Sequence, residues 1–314
     1  MRMKTLGRSG LKVSAVGLGS NNFGMKCDQV QTDAVVHRAL DLGITLFDTA
    51  DIYGNRGGSE TMLGKALGAR RKDVVLATKF GMAMGDGEYM KGGSRRYIMN
   101  AVEASLKRLG TDYIDLYQLH FPDPETPIEE TLSALDDLVR AGKVRYIGSS
   151  NLSGWQIVEA WYVAEKNGFP KFITAQNHYN LLDRKIEQEV VPAAKAYGAS
   201  VLPYFPLASG MLTGKYKRGQ GGPSDARLML WGDRAKSILT DANFDIVEKL
   251  ETFAASRGHT LLDLAFGWLA SQAHVGSVIA GATKPEQVEL NVKAGEWELS
   301  AEELAEVGRI SFRL

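Results

Sequence analysis

The chain has 314 residues, 44% of them hydrophobic, and its 37 basic and 37 acidic side chains balance, so no net field favours nucleic acid or an anionic membrane as a partner. It has no apolar run long enough to cross a bilayer, no signal-peptide core in its first residues, and a single cysteine, Cys27, which excludes an intrachain disulfide. We therefore expect a soluble cytoplasmic protein, monomeric or homo-oligomeric.

A short β-hairpin (residues 1–14) is predicted at the start of the chain, where residues 3–6 and 11–14 flank the turn sequence Gly-Arg-Ser-Gly. After it, apolar stretches typical of strands alternate with stretches of helical periodicity. The predicted strands are Ala15–Gly19, Thr45–Ala50, Asp73–Phe80, Tyr113–His120, Val144–Ser149, Phe172–Asn177, Ser200–Tyr204 and Val275–Ala280. The predicted helices are Gln31–Leu42, Glu60–Leu67, Arg95–Leu109, Pro127–Ala141, Trp155–Lys166, Ile186–Tyr197, two helices within 243–272 that break near Gly258, Pro285–Val292 and Ser300–Ile310.

This alternation predicts the fold class. Strands that alternate with helices pair in parallel, and eight such units fit a single α/β domain, residues 1–314, built as a closed (β/α)8 TIM barrel with an N-terminal hairpin and extra C-terminal helices. The rival is an open doubly wound sheet, which would need a G-x-G-x-x-G turn after the first strand. Gly17 and Gly19 are present, but Asn22 stands at the third position and no helix begins there.

Two connections are longer than a barrel requires. The segment 81–94 is rich in Gly and Met and is predicted to be an adaptable loop that could act as a lid. The segment 208–241 is much longer than usual, and loops of that length are commonly functional or disordered.

Polar residues stand at the ends of the predicted strands, where the reactive residues of such a barrel lie. Asp48 and Lys79 end the second and third strands, Tyr53 lies in the turn after Asp48, and His120 ends the fourth. A lysine at the end of an apolar strand is costly unless paired, and Asp48 is the available partner. A nearby ammonium lowers the pKa of a phenol, which makes the phenol more useful for acid–base catalysis, and a histidine could orient a carbonyl oxygen. These residues predict a proton-transfer site.

Each of these residues also has a structural explanation when it is considered alone. Asp48 and Lys79 could form a buried ion pair. Tyr53 could pack its ring in a loop, and His120 could be a hydrogen-bonded core histidine. Four such residues at the ends of three adjacent strands favour a site instead. Cys27 has no assigned base, so it is expected to line the site or to pack rather than to act as a nucleophile. No Cys/His/Asp cluster has ligand spacing, so no metal is predicted.

Several longer motifs run through the chain: LGRSGLKVSAVGLG, FDTADIYG with GGSETMLGKAL, LATKFG, YIDLYQLHFPD, GKVRYIGSSN, TAQNHYNLL, YFPLASGMLTGKY and AGATKPEQVELNV. Through these motifs the chain resembles the aldo-keto reductase family over nearly its whole length. Of these, GMLTGKY and TKPEQVE look most like the bacterial and potassium-channel-β-like branch. The resemblance implies reversible, NADPH-dependent reduction of an aldehyde or ketone by hydride transfer. It also implies that Asp48, Tyr53, Lys79 and His120 are a catalytic tetrad with Tyr53 as general acid.

The resemblance further implies an extended cofactor across the barrel mouth, covered by the segment 208–241. Ser150, Asn151 and Gln176 would hold the nicotinamide carboxamide, and Tyr204 would stack on its ring. The pyrophosphate would lie against Leu207, Ser209, Gly210 and Lys215, the adenosine end would be held by Gly281, Thr283, Lys284, Gln287 and Asn291, and Gly19, Ser20, Asp48 and Phe205 complete the expected contacts. Lys284 and Arg227 could meet a 2′-phosphate, which favours NADP(H), with NAD(H) possible.

The chain departs from the family pattern at two positions. Phe205 replaces the usual serine, which removes one hydroxyl and leaves more of the pyrophosphate binding to the backbone and Lys215. Leu290 stands where the family usually has a glutamate that contacts adenine, so adenine recognition is weakened or different. Candidate substrate-lining residues are Phe23, Tyr89 and Phe121, each of which could equally pack. Two functional alternatives remain: a cofactor-sensing regulatory subunit with vestigial turnover, and an NAD-linked dehydrogenase of a sugar, polyol or vitamin alcohol.

Overall fold

The computed structural model describes residues 1–312 except 225 and 227, and its centre is a barrel of eight parallel strands. An antiparallel hairpin precedes the barrel and pairs β1 (Met3–Thr5) with β2 (Lys12–Ser14). The barrel strands are β3 (Val16–Gly19), β4 (Leu46–Asp48), β5 (Val75–Phe80), β6 (Ile114–Leu119), β7 (Val144–Ser150), β8 (Thr174–His178), β9 (Ser200–Tyr204) and β10 (Val278–Gly281). The predicted fold class is thereby confirmed.

Neighbouring strands follow the chain order from β3 to β9, and β10 pairs with β3. The remaining gap between β9 and β10 is bridged just before β10 begins. There the Val201 N–H donates to the His274 carbonyl at 2.8 Å, and the Gly276 N–H donates to the Val201 carbonyl at 2.9 Å. These bonds leave little free edge, which is the exposed feature that an open sheet must protect.

Helices surround the barrel and connect its strands. They are α1 (Gln29–Asp41), α2 (Tyr53–Leu67), α3 (Arg95–Leu109), α4 (Ile128–Arg140), α5 (Gly154–Asn167), α6 (Val190–Tyr197), α7 (Asp241–Ala255), α8 (Leu261–Ser271), α9 (Pro285–Ala294) and α10 (Ala301–Ser311). The predicted break near Gly258 is confirmed, since it separates α7 from α8. The segment 208–241 contains two 3-10 segments, Ala208–Thr213 and Met229–Ser237, rather than a structureless loop.

The helix ends follow from local chemistry. Ser300 and Glu303 cap the start of α10 reciprocally, as the Ser-Ala-Glu-Glu sequence predicts. Gly110 ends α3 in the left-handed conformation with φ 64°, and its N–H bonds the carbonyl of Leu106.

Two helices differ from the prediction because of backbone geometry. The helix predicted at Glu60–Leu67 is preceded by a left-handed turn over residues 54–57, so α2 reaches back to Tyr53. A β-carbon at Gly54 would clash with the Ser59 backbone nitrogen, which is why a glycine is needed there. The helix predicted from Ile186 is interrupted, and α6 begins only at Val190.

The barrel interior is apolar at its amino-terminal end. Leu46, Ala77 and Leu116 from adjacent strands are fully buried there, together with Leu6 and Val13 from the hairpin, which covers this end of the barrel. Because strand side chains alternate, the interior residue two positions further along each of these strands lies one layer higher. Those positions are Asp48, Lys79 and Gln118, so the polar layer lies at the carboxyl ends of the strands.

Candidate active site

The Lys79 side chain is fully buried at the carboxyl end of β5 and is paired with Asp48 of β4. Its Nζ donates to Asp48 Oδ2 at 2.6 Å and to the Thr49 carbonyl at 2.8 Å. Burial alone would lower the pKa of the ammonium, but Asp48 and the Tyr53 phenol together outweigh burial and raise it. Lys79 therefore keeps its positive charge without contact with solvent.

The second Asp48 oxygen is held by two amides from neighbouring strands. Oδ1 accepts hydrogen bonds from Nε2 of Gln118 at 3.2 Å and from Nε2 of Gln176 at 2.9 Å. The Thr174 hydroxyl donates to Gln118 Oε1 at 3.4 Å, which fixes the orientation of that amide. With both oxygens bonded, the carboxylate is held in one orientation and holds Lys79 in one position.

Tyr53 lies half-buried beside Lys79, with the lysine Nζ 5.1 Å from the centre of its ring. Burial raises the pKa of the phenol, and the Lys79 ammonium opposes that effect without reversing it. The Lys79 ammonium lowers this pKa as expected, but desolvation of the phenolate is the larger effect, so the net shift is upward. The phenol holds its proton at neutral pH.

His120 follows β6 and its ring meets the Tyr53 ring edge-on, with ring centres 5.7 Å apart. It is 6% exposed, and burial followed by the charge of Lys79 lowers its pKa to about 3. Its Nδ1 is buried and lacks a hydrogen-bond partner among the described residues. His120 is therefore neutral at physiological pH and can act as a hydrogen-bonding group but not as a cation.

Asn151 links the predicted nicotinamide platform to His120. Its backbone is left-handed, with φ 60°, a conformation that asparagine tolerates better than most residues. Its Nδ2 donates to the His120 carbonyl at 2.9 Å, and its Oδ1 accepts from the Tyr204 hydroxyl at 2.7 Å. The neighbouring Ser150 hydroxyl donates to the Gln176 carbonyl at 2.8 Å, so the residues expected around the nicotinamide lie together.

The segment after β9 forms a concave backbone turn. Phe205, Ala208, Ser209 and Gly210 all have positive φ, and the Gly210 N–H bonds the Leu207 carbonyl at 2.8 Å. A β-carbon at Gly210 would lie 3.2 Å from Nζ of Lys215, so the ammonium reaches this turn. A tight turn with an ammonium beside it suits an anionic group such as a pyrophosphate.

A second position suited to phosphate is the amino end of α9. Lys284 occupies its N-cap with an exposed side chain that makes no ion pair within the described part of the chain. Gln287 accepts from the Thr283 N–H at 2.8 Å, and Asn291 is buried one turn further along. A helix amino terminus with a lysine favours an anion. The other residue expected to meet a 2′-phosphate, Arg227, lies outside the described residues.

Three further residues with expected cofactor contacts lie at the barrel mouth, where they make hydrogen bonds or allow chain segments to approach closely: Gly19, Ser20 and Gly281. The Ser20 N–H and hydroxyl both donate to the Asp48 carbonyl, at 2.9 and 3.0 Å. A β-carbon at Gly281 would lie 3.0 Å from Asn21 Oδ1, and one at Gly19 would lie 3.1 Å from Ile279 Cγ2, so chain segments approach closely at both glycines.

The three residues expected to line a substrate pocket have different surroundings. The Phe121 ring is 45% exposed and stacks on His120 at 5.3 Å. Tyr89 is 52% exposed, and the Arg96 guanidinium lies 4.1 Å from its ring centre. Phe23 has no exposed surface and packs in the main core, so its ring is not available to a substrate in this structure.

Two buried residues in this region were given no role by the sequence. Gln118 supports Asp48, and its position two residues before His120, on the same face of β6, is a signal that strand periodicity could have used. Asp51 lies buried between Asp48 and Tyr53, and no sequence pattern separates it from an exposed turn aspartate.

Within the described residues, no group of His, Cys, Asp and Glu side chains is arranged to hold a metal ion. The same part of the chain contains no helix with the length and apolar character needed to span a membrane.

Known proteins are similar to this chain over almost its whole length. The family model described as "Aldo/keto reductase family" matches residues 15–311. A probable voltage-gated potassium channel subunit beta of Oryza sativa subsp. japonica is 41% identical, covering 94% of this chain and 91% of the relative. An uncharacterized oxidoreductase of Bacillus subtilis (strain 168) is 38% identical, covering 96% and 93%. The L-glyceraldehyde 3-phosphate reductase of Escherichia coli (strain K12) is 36% identical, covering 98% and 91%.

Proposed function

Since the chain belongs to the aldo/keto reductase family and is an oxidoreductase, we propose that it reduces an aldehyde or ketone reversibly with NADPH, and that Tyr53 is the general acid. The observation that carries the proposal is the buried Lys79–Asp48 pair beside the Tyr53 phenol. A fully buried ammonium is costly to maintain, and its position next to a phenol and a neutral histidine is that of a proton-transfer site.

Each of these side chains has a distinct task in the proposed reaction. Tyr53 donates its proton to the carbonyl oxygen, and Lys79 stabilises the phenolate that remains. Asp48 holds the ammonium in place, and neutral His120 orients the carbonyl oxygen through a hydrogen bond. A reduced nicotinamide, when bound, supplies the hydride to the carbonyl carbon. In the reverse direction the phenolate accepts the alcohol proton, but a phenol protonated at neutral pH suits reduction better.

The proposed acid is tested by Tyr53→Phe, which removes one hydroxyl and keeps the ring. We expect the steady-state rate with a panel of small aldehydes to fall by roughly 10²–10⁴-fold, since this is the contribution of a positioned acid. The affinity for NADPH, measured by the quenching of protein fluorescence, should remain close to that of the unmodified protein. Tyr162→Phe, on the exposed face of α5, is the matched control and should leave the rate unchanged. If Tyr53→Phe turned over aldehydes at an unchanged rate, Tyr53 would not be the general acid.

The preference for NADPH is proposed from the exposed Lys284 at the start of α9. A hydrogen bond from this ammonium to a 2′-phosphate corresponds to roughly a 10- to 100-fold difference in affinity. Lys284→Met should therefore raise the dissociation constant of NADPH and leave that of NADH unchanged. Lys293→Met, at the other end of α9, serves as control. Equal loss for both cofactors would contradict the assignment, and tighter binding of NADH by the unmodified protein would favour an NAD-linked alcohol dehydrogenase.

A second candidate function is a cofactor-sensing regulatory subunit with slow turnover. It is favoured by the relatives named as potassium channel β subunits, and opposed by the intact arrangement of Lys79, Asp48, Tyr53 and His120. Negligible rates across an aldehyde panel combined with tight NADPH binding would support this alternative. Substantial rates would support the reductase.

We propose a small carbonyl compound or alcohol as the substrate and the cytoplasm as the location. The balanced charge of the chain offers no general attraction for polyanions. Its one cysteine, Cys27, is buried and forms no disulfide, which suits a reducing compartment.

A further inference from the structure

Asp51 is a buried carboxyl group that the proposed reaction does not use. It lies in the turn between Asp48 and Tyr53 and is 1% exposed. Its Oδ2 lies 3.0 Å from the Tyr97 hydroxyl oxygen, and its Oδ1 is buried with no hydrogen-bond partner in the described part of the chain. A carboxylate with only neutral donors, the Tyr97 hydroxyl and the Ile52 backbone, and no ion pair is poorly compensated for loss of water, so this side chain favours its neutral form.

The surroundings of Asp51 increase this preference. Glu60 lies nearby on α2 and is fully buried. It forms an ion pair with Arg108, whose Nε lies 2.6 Å from Glu60 Oε2. Burial, followed by repulsion from Glu60, raises the pKa of Asp51 to about 7. The titratable and charged groups that face it are Tyr53 in its own segment, Glu60 on α2, Lys79 on β5 through its backbone carbonyl, Tyr97 and Arg108 on α3, and Tyr117 on β6.

The Tyr97 hydroxyl connects Asp51 to the segment 81–94. Its oxygen is 3.0 Å from Asp51 Oδ2 and 3.2 Å from the Met82 carbonyl oxygen. A hydroxyl has one proton, and a carbonyl can only accept. If Asp51 is ionised, the carboxylate and the Met82 carbonyl compete for that proton. If Asp51 is neutral, its own proton bonds the Tyr97 oxygen, and the Tyr97 proton is free for Met82.

The segment 81–94 borders the side of the mouth where a substrate would enter. A β-carbon at Gly81 would lie 4.0 Å from the His120 backbone nitrogen. At the other end of the segment, the Gly93 N–H donates to Asp123 Oδ2 at 2.7 Å, in the loop that follows Phe121. The segment is thus held at Asp123 on one side and at Tyr97 on the other.

We propose that Asp51 acts as a neutral carboxylic acid that bonds Tyr97 and so leaves the Tyr97 proton to hold the Met82 carbonyl, fixing the start of the segment 81–94 beside His120. Asp51 touches neither substrate nor cofactor and is a positioning residue. The consequence for catalysis rests on the proposed reductase function. When Asp51 loses its proton, the Met82 contact weakens and carbonyl substrates bind less well, while the proton donor Tyr53 stays in place.

The test is the pH dependence of KM and kcat for an aldehyde substrate, measured across about two pH units on either side of neutrality. KM of the unmodified protein should rise roughly three- to tenfold as pH passes through the titration of Asp51, which is the effect of losing one hydrogen bond. Asp51→Asn carries an amide that donates to Tyr97 at every pH, so its KM should stay low throughout. Tyr97→Phe cannot hold Met82, so its KM should be high throughout.

Asp86→Asn removes an exposed carboxylate from the same segment and is the matched control, with the profile of the unmodified protein. NADPH binding by each variant establishes that it is folded. The proposal is overturned if Asp51→Asn keeps the rise in KM, or if Tyr97→Phe binds substrate as well as the unmodified protein does.

A second readout does not need turnover. Amide hydrogen exchange in Met82–Met90 should show less protection above neutral pH in the unmodified protein than in Asp51→Asn. If no aldehyde is reduced by any form, the proposed function fails, and this exchange difference still decides the role of Asp51. Equal protection in the two proteins would exclude it.

Discussion

The two ends of the barrel interior are built from the same strands but from opposite chemistry. At the amino end, Leu46, Ala77 and Leu116 pack with the hairpin residue Leu6. Two residues further along, Asp48, Lys79 and Gln118 form a hydrogen-bonded polar layer. Both layers are buried, so burial alone does not distinguish them; what differs is whether each side chain needs a specific partner.

This difference indicates how stability and activity are divided between the two ends. The apolar layer depends on volume and tolerates hydrophobic residues of similar size. The polar layer depends on bonded pairs, because one missing partner leaves a buried charge uncompensated. We therefore expect changes at the amino end to affect mainly stability, and changes at the carboxyl end to affect activity as well.

The largest effect is expected at the carboxyl end from Lys79→Met. It removes the stabiliser of the Tyr53 phenolate and leaves Asp48 as a buried, unpaired carboxylate. The rate should fall by at least about 10²-fold, and the free energy of unfolding should fall by about 3–5 kcal/mol. Denaturant unfolding and an aldehyde assay measure the two effects. The double variant with Asp48→Asn should regain part of the stability and none of the activity; recovery of the rate would place the proton chemistry elsewhere.

At the amino end, Leu6→Ala should affect stability alone. Leu6 has no exposed surface, and a β-carbon at Gly276 would lie 2.5 Å from its Cδ2, so the site is tightly packed. Truncation should lower the free energy of unfolding by about 2–5 kcal/mol, with kcat per folded molecule unchanged. Leu11→Ala, at a partly buried position on the same hairpin, should cost less. A proportionate loss of kcat would show that the two ends are not separable.

Asp51→Asn tests whether a buried polar group at the carboxyl end can reduce stability. The pKa of Asp51 rises from 3.8 to about 7 on folding, so between these pH values the folded protein keeps a proton that the unfolded chain has lost. The free energy of unfolding of the unmodified protein therefore falls as pH rises through this window. At about 1.4 kcal/mol per pH unit, Asp51→Asn should become more stable than its parent by a few kcal/mol at and above neutrality. If the difference in Tm between Asp51→Asn and the unmodified protein were the same at acidic and at neutral pH, the raised pKa of Asp51 would be contradicted.

The fold and three of the four predicted catalytic residues were accessible from the sequence because both follow from periodicity. Apolar runs alternate with helical repeats, and Asp48, Lys79 and His120 fall at the ends of three of those runs. Inward-facing side chains at the carboxyl ends of parallel barrel strands meet at the mouth of the barrel. That these residues lie close together could therefore be inferred before any distance was known.

The remaining features depend on distances that no sequence pattern specifies. The direction of the pKa shift of Tyr53 is set by the balance of burial against Lys79, and residue types alone could not give that direction. The left-handed turn at 54–57 includes two residues that are not glycine, which propensity argues against. The pKa of Asp51 depends first on its burial, then on Glu60 and on the position of Arg108, all of which are set by contacts between elements.

The left-handed Asn151 narrows the choice of amino acid at its position through two unrelated demands. Its backbone excludes most residues with a β-carbon, and glycine would satisfy that demand best. Its side chain must also donate to the His120 carbonyl and accept from the Tyr204 hydroxyl, which glycine cannot do and aspartate can do only in part. Asparagine meets both demands, so library selections that retain activity should recover it almost alone at this site, even where its neighbours vary.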